Sequence, residues 1–207
     1  MVLYKTYGPA PCGGRVTTKA LRPLHGTDAI NSSGAAARPG DAADSLDGHG
    51  AGSLAGHNLH LPASRYTPVD EALIPTGEIK PVENTAFDFR EMRPIRLDVD
   101  GQQLGYDHNF CFSSTRVAKR SVALARSVNS GVTMEILTTE PGVQFYAGGK
   151  VSPAVPGLEG RRYGAFAGFC METQVWPDAI NHPNFPNAVL RPGEVLRQET
   201  DYVFSRA

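Results

Sequence analysis

The residue best suited to acid–base work in this chain sits where a carboxylate is least expected. Glu172 lies within the run GFCMETQVW, Gly168 to Trp176, among apolar neighbours. Side chains alternate across a β-strand, so Phe169, Met171 and Thr173 share one face and Cys170, Glu172 and Gln174 the other. If the second face borders a polar cleft, its apolar surroundings raise the carboxyl pKa by desolvation. A carboxylate tuned toward neutrality suits general base catalysis. Two further stretches aim polar groups from apolar runs, the pattern of a binding cleft. In GYDHNFCF, Asp107, His108 and Asn109 stand between Tyr106 and Phe110; in PGVQFYAGG, Gln144 stands between Val143 and Phe145. Each also has a structural reading. Glu172 can lie on a solvated face, Asp107 can bond its own backbone in a turn, and Gln144 can satisfy a buried backbone group. Trp176, before Pro177, reads as a packing residue whose indole N–H is bonded.

The elements that must position these residues are short strands. From about Arg65 onward, runs rich in β-branched and aromatic residues alternate with turn residues: RYTPVD, IRLDVDGQQLGYD, SVALARSV, SGVTMEILTTE, GVQFYAGG and DYVFSRA. IRLDVDG alternates apolar and polar residues and ends in the hairpin signal Asp100-Gly101. In VTMEILTT, Val132, Met134 and Ile136 alternate with Thr133, Glu135 and Leu137. No stretch sustains a 3.6-residue period, so the expected class is all-β, a sandwich or barrel. AFDFRE, Ala86 to Glu91, is expected to form one helical turn.

Residues 1–51 have a different texture. From Asn31 to Gly56, eighteen of twenty-six residues are Gly, Ala, Ser or Pro. Such a run buries too little apolar area to offset its backbone entropy and reads as irregular or disordered. VLY and RVTTKALRPL, within the first thirty residues, are compatible with two short strands. The expected division is therefore an irregular Gly/Ala/Pro-rich segment over 1–51 and a β domain over 52–207.

The chain has 207 residues and a formal net charge of -1, which gives no reason to expect nucleic acid or an acidic membrane surface as partner. No apolar run is long enough to span a bilayer, and no secretory signal is read at the N-terminus. The three cysteines, Cys12, Cys111 and Cys170, form no CxxC pair, so the expected compartment is a reducing cytoplasm. His57 and His60 stand three apart, a spacing that chelates metal on a helix. Gly56 and Pro62 beside them argue against a helix, and no metal site is expected.

Several of these stretches resemble the aldose 1-epimerase, or galactose mutarotase, family. They are SLAGHN from Ser53, YTPVDEALIPTGEIKPVENTAFDFRE from Tyr66, GYDHNFCF, TTEPGVQFYAGG and GFCMETQVWPDAINHPNFPNAVLRPGE. They occur in the family's order, from about Gly52 to Ala207, and correspond to the C-terminal half of a family member. The resemblance implies a galactose mutarotase-like β-supersandwich, here incomplete. It implies interconversion of the α and β anomers of galactose or glucose, with no cofactor and no metal. Carried over by motif, Glu172 in METQ is the general base, while Asp107 in GYDHNF and Gln144 in PGVQFY bind the sugar. Carboxylate and amide groups suit this role because each sugar hydroxyl both donates and accepts hydrogen bonds.

The family's general acid is a histidine in a motif like TNHSYFNLAG. The corresponding stretch here is DGHGAGSLAG, Asp47 to Gly56, which places His49 on the catalytic position but lacks the motif's Asn, Ser, Tyr and Phe. The departure upstream of Gly52 is read as a truncated or rearranged gene, or as a reading frame that joins the family only there. The alternative to an active epimerase is a catalytically impaired sugar-binding remnant or a truncated fragment. A sandwich short of strands is expected to expose sheet edges and to self-associate through them.

Overall fold

The computed structural model describes residues 14–23 as a strand backbone, and residues 46–47, 53–152, 160 and 162–206. Nearly all regular structure is antiparallel β. The strands are β1 (Gly14–Pro23), β2 (His57–His60), β3 (Arg65–Thr67), β4 (Lys80–Pro81), β5 (Arg93–Pro94), β6 (Asp98–Val99) and β7 (Gln102–Gln103). They continue as β8 (Asp107–Cys111), β9 (Arg120–Ser127), β10 (Val132–Thr138), β11 (Gly142–Tyr146), β12 (Cys170–Gln174) and β13 (Val195–Arg206). A six-stranded sheet runs β1-β13-β10-β9-β2-β5, and a five-stranded sheet runs β12-β11-β8-β3-β4. The small hairpin β6-β7 turns at Asp100 and Gly101, both at positive φ. Two successive left-handed residues are the requirement of a type I′ hairpin, which Asp-Gly meets.

The core forms where the inner faces of the two sheets meet. From the five-stranded sheet come Phe110, Val143, Phe145 and Met171; from the six-stranded sheet come Leu59, Ala125, Met134 and Ile136. Phe145 is the aromatic hub. Its ring stacks on Tyr106 at 5.4 Å and meets Phe89 edge-on at 5.8 Å and Phe169 at 6.3 Å. The alternation read in VTMEILTT holds: Met134, Ile136 and Thr138 are buried, while the residues between them are less so.

The chain passes between the sheets through Thr139-Glu140-Pro141. Glu140 is fully buried there, and Arg116 grips it in a fork, Nε to Oε1 at 2.7 Å and Nη2 to Oε2 at 3.0 Å. Arg120 donates to the carbonyls of Thr138 and Glu140. Burial raises the Glu140 pKa against the opposing pull of Arg116. The crossing is thus held by one paired charge, and a fork of this geometry is the arrangement that tolerates burial.

One feature differs from expectation. Ala86 to Glu91 makes turns rather than a helical turn. Thr85 Oγ1 accepts the Phe87 N–H, and the Asp88 carboxylate accepts the Arg90 N–H. Such short-range side-chain bonds compete with the helical pattern. RVTTKALRPL, read as compatible with a strand, forms β1, which pairs with β13 over ten residues. A ladder asks only for backbone groups, so the sequence gives little sign of which strand β1 pairs with. Leu46 also belongs to the core. Its N–H donates to His57 Nε2 at 3.1 Å, and its carbonyl accepts Ser130 Oγ at 2.7 Å. The neighbouring Asp47 carboxylate accepts from Ser127 Oγ and Asn129 Nδ2. Burial opposes its ionisation, but these hydrogen bonds outweigh burial and hold its pKa low.

Replacing Phe145 with alanine removes the hub of the aromatic cluster. Such a deletion is expected to lower stability by roughly 3–5 kcal/mol, read as a fall in the urea midpoint; an unchanged midpoint contradicts this account of the core.

Candidate active site

The face of the five-stranded sheet opposite the core carries the candidate residues, and strand register brings them together. Gln144 of β11 pairs directly with Glu172 of β12 and, on its other side, with Asn109 of β8. Tyr146 pairs with Asp107 and with Cys170. Residues opposite one another in a ladder share a face. Asp107, Gln144 and Glu172 therefore lie on one surface, as their alternation predicts, with Phe110, Phe145 and Met171 on the buried side.

Side-chain bonding tightens the group. Gln144 Nε2 donates to Asp107 Oδ1 at 2.8 Å. That bond holds the carboxylate of β8 across toward β12. Glu172 is half-buried, and its pKa is raised, first by burial and then by the nearby charge of Asp107. The direction is the one expected for a carboxyl among apolar neighbours. Three buried polar atoms on this face have no hydrogen-bond partner among the described residues: Gln144 Oε1, Asn109 Oδ1 and Thr67 Oγ1.

One end of the face is closed by packing. Trp176 is buried against Phe185 at 5.2 Å, and its indole Nε1 donates to the Pro141 carbonyl at 3.1 Å. The indole fits because residue 142 is glycine. A Cβ there would lie 2.4 Å from Asn109 Oδ1 and 2.7 Å from Trp176 Cδ1. The segment after β12 then folds against the loop after β3: Asn184 Nδ2 donates to the Gly77 carbonyl, and His182 Nε2 lies 3.2 Å from the Pro75 carbonyl. The other end runs to Tyr146, whose hydroxyl accepts the Lys150 N–H at 2.8 Å. The turn beyond it is pressed close to its neighbour: a Cβ on Gly148 would fall 2.4 Å from the Gly168 carbonyl oxygen.

His108, grouped with Asp107 in the sequence, points the other way. Its ring packs on Phe87 at 4.5 Å and near Tyr66, and burial lowers its pKa. It is half-buried on the inward face, and its Nδ1 accepts the Asp107 N–H. His57 and His60 lie in a strand, where a spacing of three puts them on opposite faces; His57 is fully buried. His49 lies outside the described residues. Tyr146 and Thr67 were not singled out from the sequence. For Tyr146 the signal was present, because it stands two residues from Gln144 in GVQFY.

The raised Glu172 pKa has a consequence for stability. Well below its ordinary value of 4.5, folded and unfolded chains both hold the proton and the group contributes no difference. As pH rises from there, the unfolded chain releases the proton first, so stability falls until the folded group ionises as well. Glu172→Gln cannot ionise. It is expected to melt at a higher temperature than the wild type at about pH 8 and to lose that advantage at about pH 3.5. Equal melting temperatures at the higher pH contradict the strained-carboxylate picture.

Comparison with known proteins places these residues in context. Residues 45–203 match the family model described as aldose 1-epimerase. The chain is 44% identical over 165 residues to the galactose mutarotase of Mus musculus, covering 78% of this chain and 47% of that protein. It is 43% identical to the galactose mutarotase of Homo sapiens over the same shares. It is 34% identical over 155 residues to the aldose 1-epimerase of Escherichia coli K12, covering 72% of this chain and 44% of that one. Among solved structures, the GalM/aldose epimerase homologue from C. elegans superimposes with a TM-score of 0.69 at 26% identity, over 93% of this chain and 51% of the other. The chain spans about half the length of the curated relatives it matches. With the match extending through both sheets and all three strands of the candidate site, this chain belongs to the aldose 1-epimerase family.

Proposed function

We propose that this face binds a hexose, galactose or glucose, and carries the base side of an aldose 1-epimerase reaction. The observation that supports it most directly is Glu172, half-buried with a raised pKa beside the hydrogen-bonded pair Asp107–Gln144. In this reading Glu172 accepts the proton from the anomeric hydroxyl, O1–H. The electron pair of that bond forms the C1=O1 double bond as C1–O5 breaks. The ring oxygen leaves with a proton supplied by an acid, for which His49 is the candidate from its place in the sequence. Rotation about C1–C2 presents the other face of the aldehyde, and the ring closes with the two groups in exchanged roles. Asp107 and Gln144 hold the sugar through its hydroxyls. Gln144 Oε1, buried without a partner among the described residues, is an acceptor for one of them.

The desolvation that raises the Glu172 pKa keeps the carboxylate basic enough to draw a proton from a hemiacetal hydroxyl. It also makes the group protonated over the acid range, so activity should fall toward low pH from a midpoint above the ordinary carboxylate value. The charge of Asp107 contributes to that displacement, so Asp107→Asn should move the midpoint downward while weakening sugar binding.

Polarimetry on freshly dissolved α-glucose and α-galactose tests the proposal. Glu172→Gln is expected to lose about 10²–10⁴ of the rate and to keep sugar binding by calorimetry. A wild-type chain that binds galactose without accelerating mutarotation would assign it a sugar-binding role instead. A chain that does neither removes the reading altogether.

A further inference from the structure

The strand that carries Glu172 is the edge of its sheet: β12 pairs with β11 alone among the described residues. An edge strand bonded on one side frays readily, and its outward carbonyls are open to solvent or to other chains. Here those carbonyls are taken by side chains of the other sheet. Gln198 Nε2 donates to the Thr173 carbonyl at 2.8 Å, and Tyr202 Oη donates to the Met171 carbonyl at 3.1 Å. Between them, Thr200 Oγ1 lies 2.7 Å from Thr173 Oγ1 and 2.8 Å from Thr138 Oγ1. Gln198, Thr200 and Tyr202 stand two apart on β13, so all three project from one face toward β12. The two peptide carbonyls they hold belong to the residues on either side of Glu172.

We propose that Gln198, Thr200 and Tyr202 form a strap that fixes the height and tilt of β12 and are thereby positioning residues for Glu172. The inference rests on the reading of Glu172 as the base. The strap transmits rigidity from a suitable source. β13 has twelve residues and is flanked by β1 on one side and β10 on the other. The threonine series Thr138–Thr200–Thr173 continues that anchoring across the interior from β10 to β12. A base must stay within a fraction of an ångström of the proton it removes, and a displacement of about 1 Å costs on the order of 10²-fold in rate. An edge strand held by one ladder does not meet that demand unaided. A strap on its free side does, and it leaves the opposite face of Glu172 open to the sugar.

The test uses the whole chain with Tyr202→Phe, Gln198→Ala and their combination. Tyr202→Phe keeps the ring, which packs against the core, and removes only the donor. Thr200→Val, of similar shape, serves as an independent third variant. Three readouts are followed: hydrogen exchange of the β12 amides, the titration of the Glu172 carboxyl by ¹³C NMR, and kcat and KM for mutarotation. The combined variant is expected to exchange its β12 amides at least about tenfold faster, with other strands unchanged. Glu172 should titrate nearer the ordinary carboxylate value, and kcat should fall about tenfold or more with KM within about twofold. A merely structural role would lower the folded fraction but leave the carboxyl titration and the turnover per folded molecule as in the wild type; that outcome overturns the proposal. If the wild type itself shows no turnover, the base reading fails. The exchange and carboxyl titration then decide the strap without it: unchanged values overturn it and shifted values sustain it.

Discussion

Everything at the site depends on the register of three neighbouring strands. β8, β11 and β12 present aromatic and aliphatic residues to the interior on alternate positions, and burial of Phe110, Phe145 and Met171 sets that alternation. A slip of one residue in any strand would bury Asp107, Gln144 or Glu172 and expose a core residue in exchange. Hydrophobic burial on one side of a sheet thus specifies polar geometry on the other. The carboxylates are held in place by the aromatic cluster beneath them, and only secondarily by their own hydrogen bonds.

The polar groups on that face oppose one another in a controlled way. Two carboxylates close together in partly desolvated surroundings cannot both ionise without cost. The amide of Gln144 binds Asp107, while Glu172 receives no such bond among the described residues, and its pKa is raised, first by burial and then by the charge of Asp107. Other buried carboxylates in the fold meet different partners. Glu140 is more deeply buried than Glu172 but meets the fork of Arg116, and Asp47 is held low by neutral donors. Partner geometry distinguishes a carboxylate that secures a chain crossing from one that no hydrogen bond holds among the described residues.

Much of this was legible in the sequence. The all-β class followed from period-two runs with turn residues between them, and the Asp100-Gly101 hairpin from the dipeptide alone. The placement of Glu172 and Gln174 on one strand face needed only alternation. Proximity between strands was a different matter. Nothing local to GYDHNF, GVQFY or METQ states that Gln144 lies opposite both Asn109 and Glu172; that comes from which strands pair. RVTTKALRPL read as strand-compatible, but its pairing with β13 was equally hidden, because a ladder draws on backbone groups that every residue possesses. His108 shows the same limit from the other side. Alternation from Asp107 already turned it inward, but its polarity suggested a place in the cleft. The helical turn expected at Ala86 to Glu91 failed where Thr85 and Asp88 bond nearby backbone amides.

The position of β13 bears on how the molecule is made. This strand follows every other described element in the chain, yet it lies inside its sheet, between β1 and β10. During vectorial synthesis, β10, β9 and β2 can associate early, but β1 has no partner in the sheet until β13 emerges. The six-stranded sheet is therefore completed late, through pairing between residues far apart in the chain, a topology that folds slowly. Until then the edge of β10 that pairs with β13 stays without that partner. The time β13 takes to arrive sets how long that edge is open to misassembly.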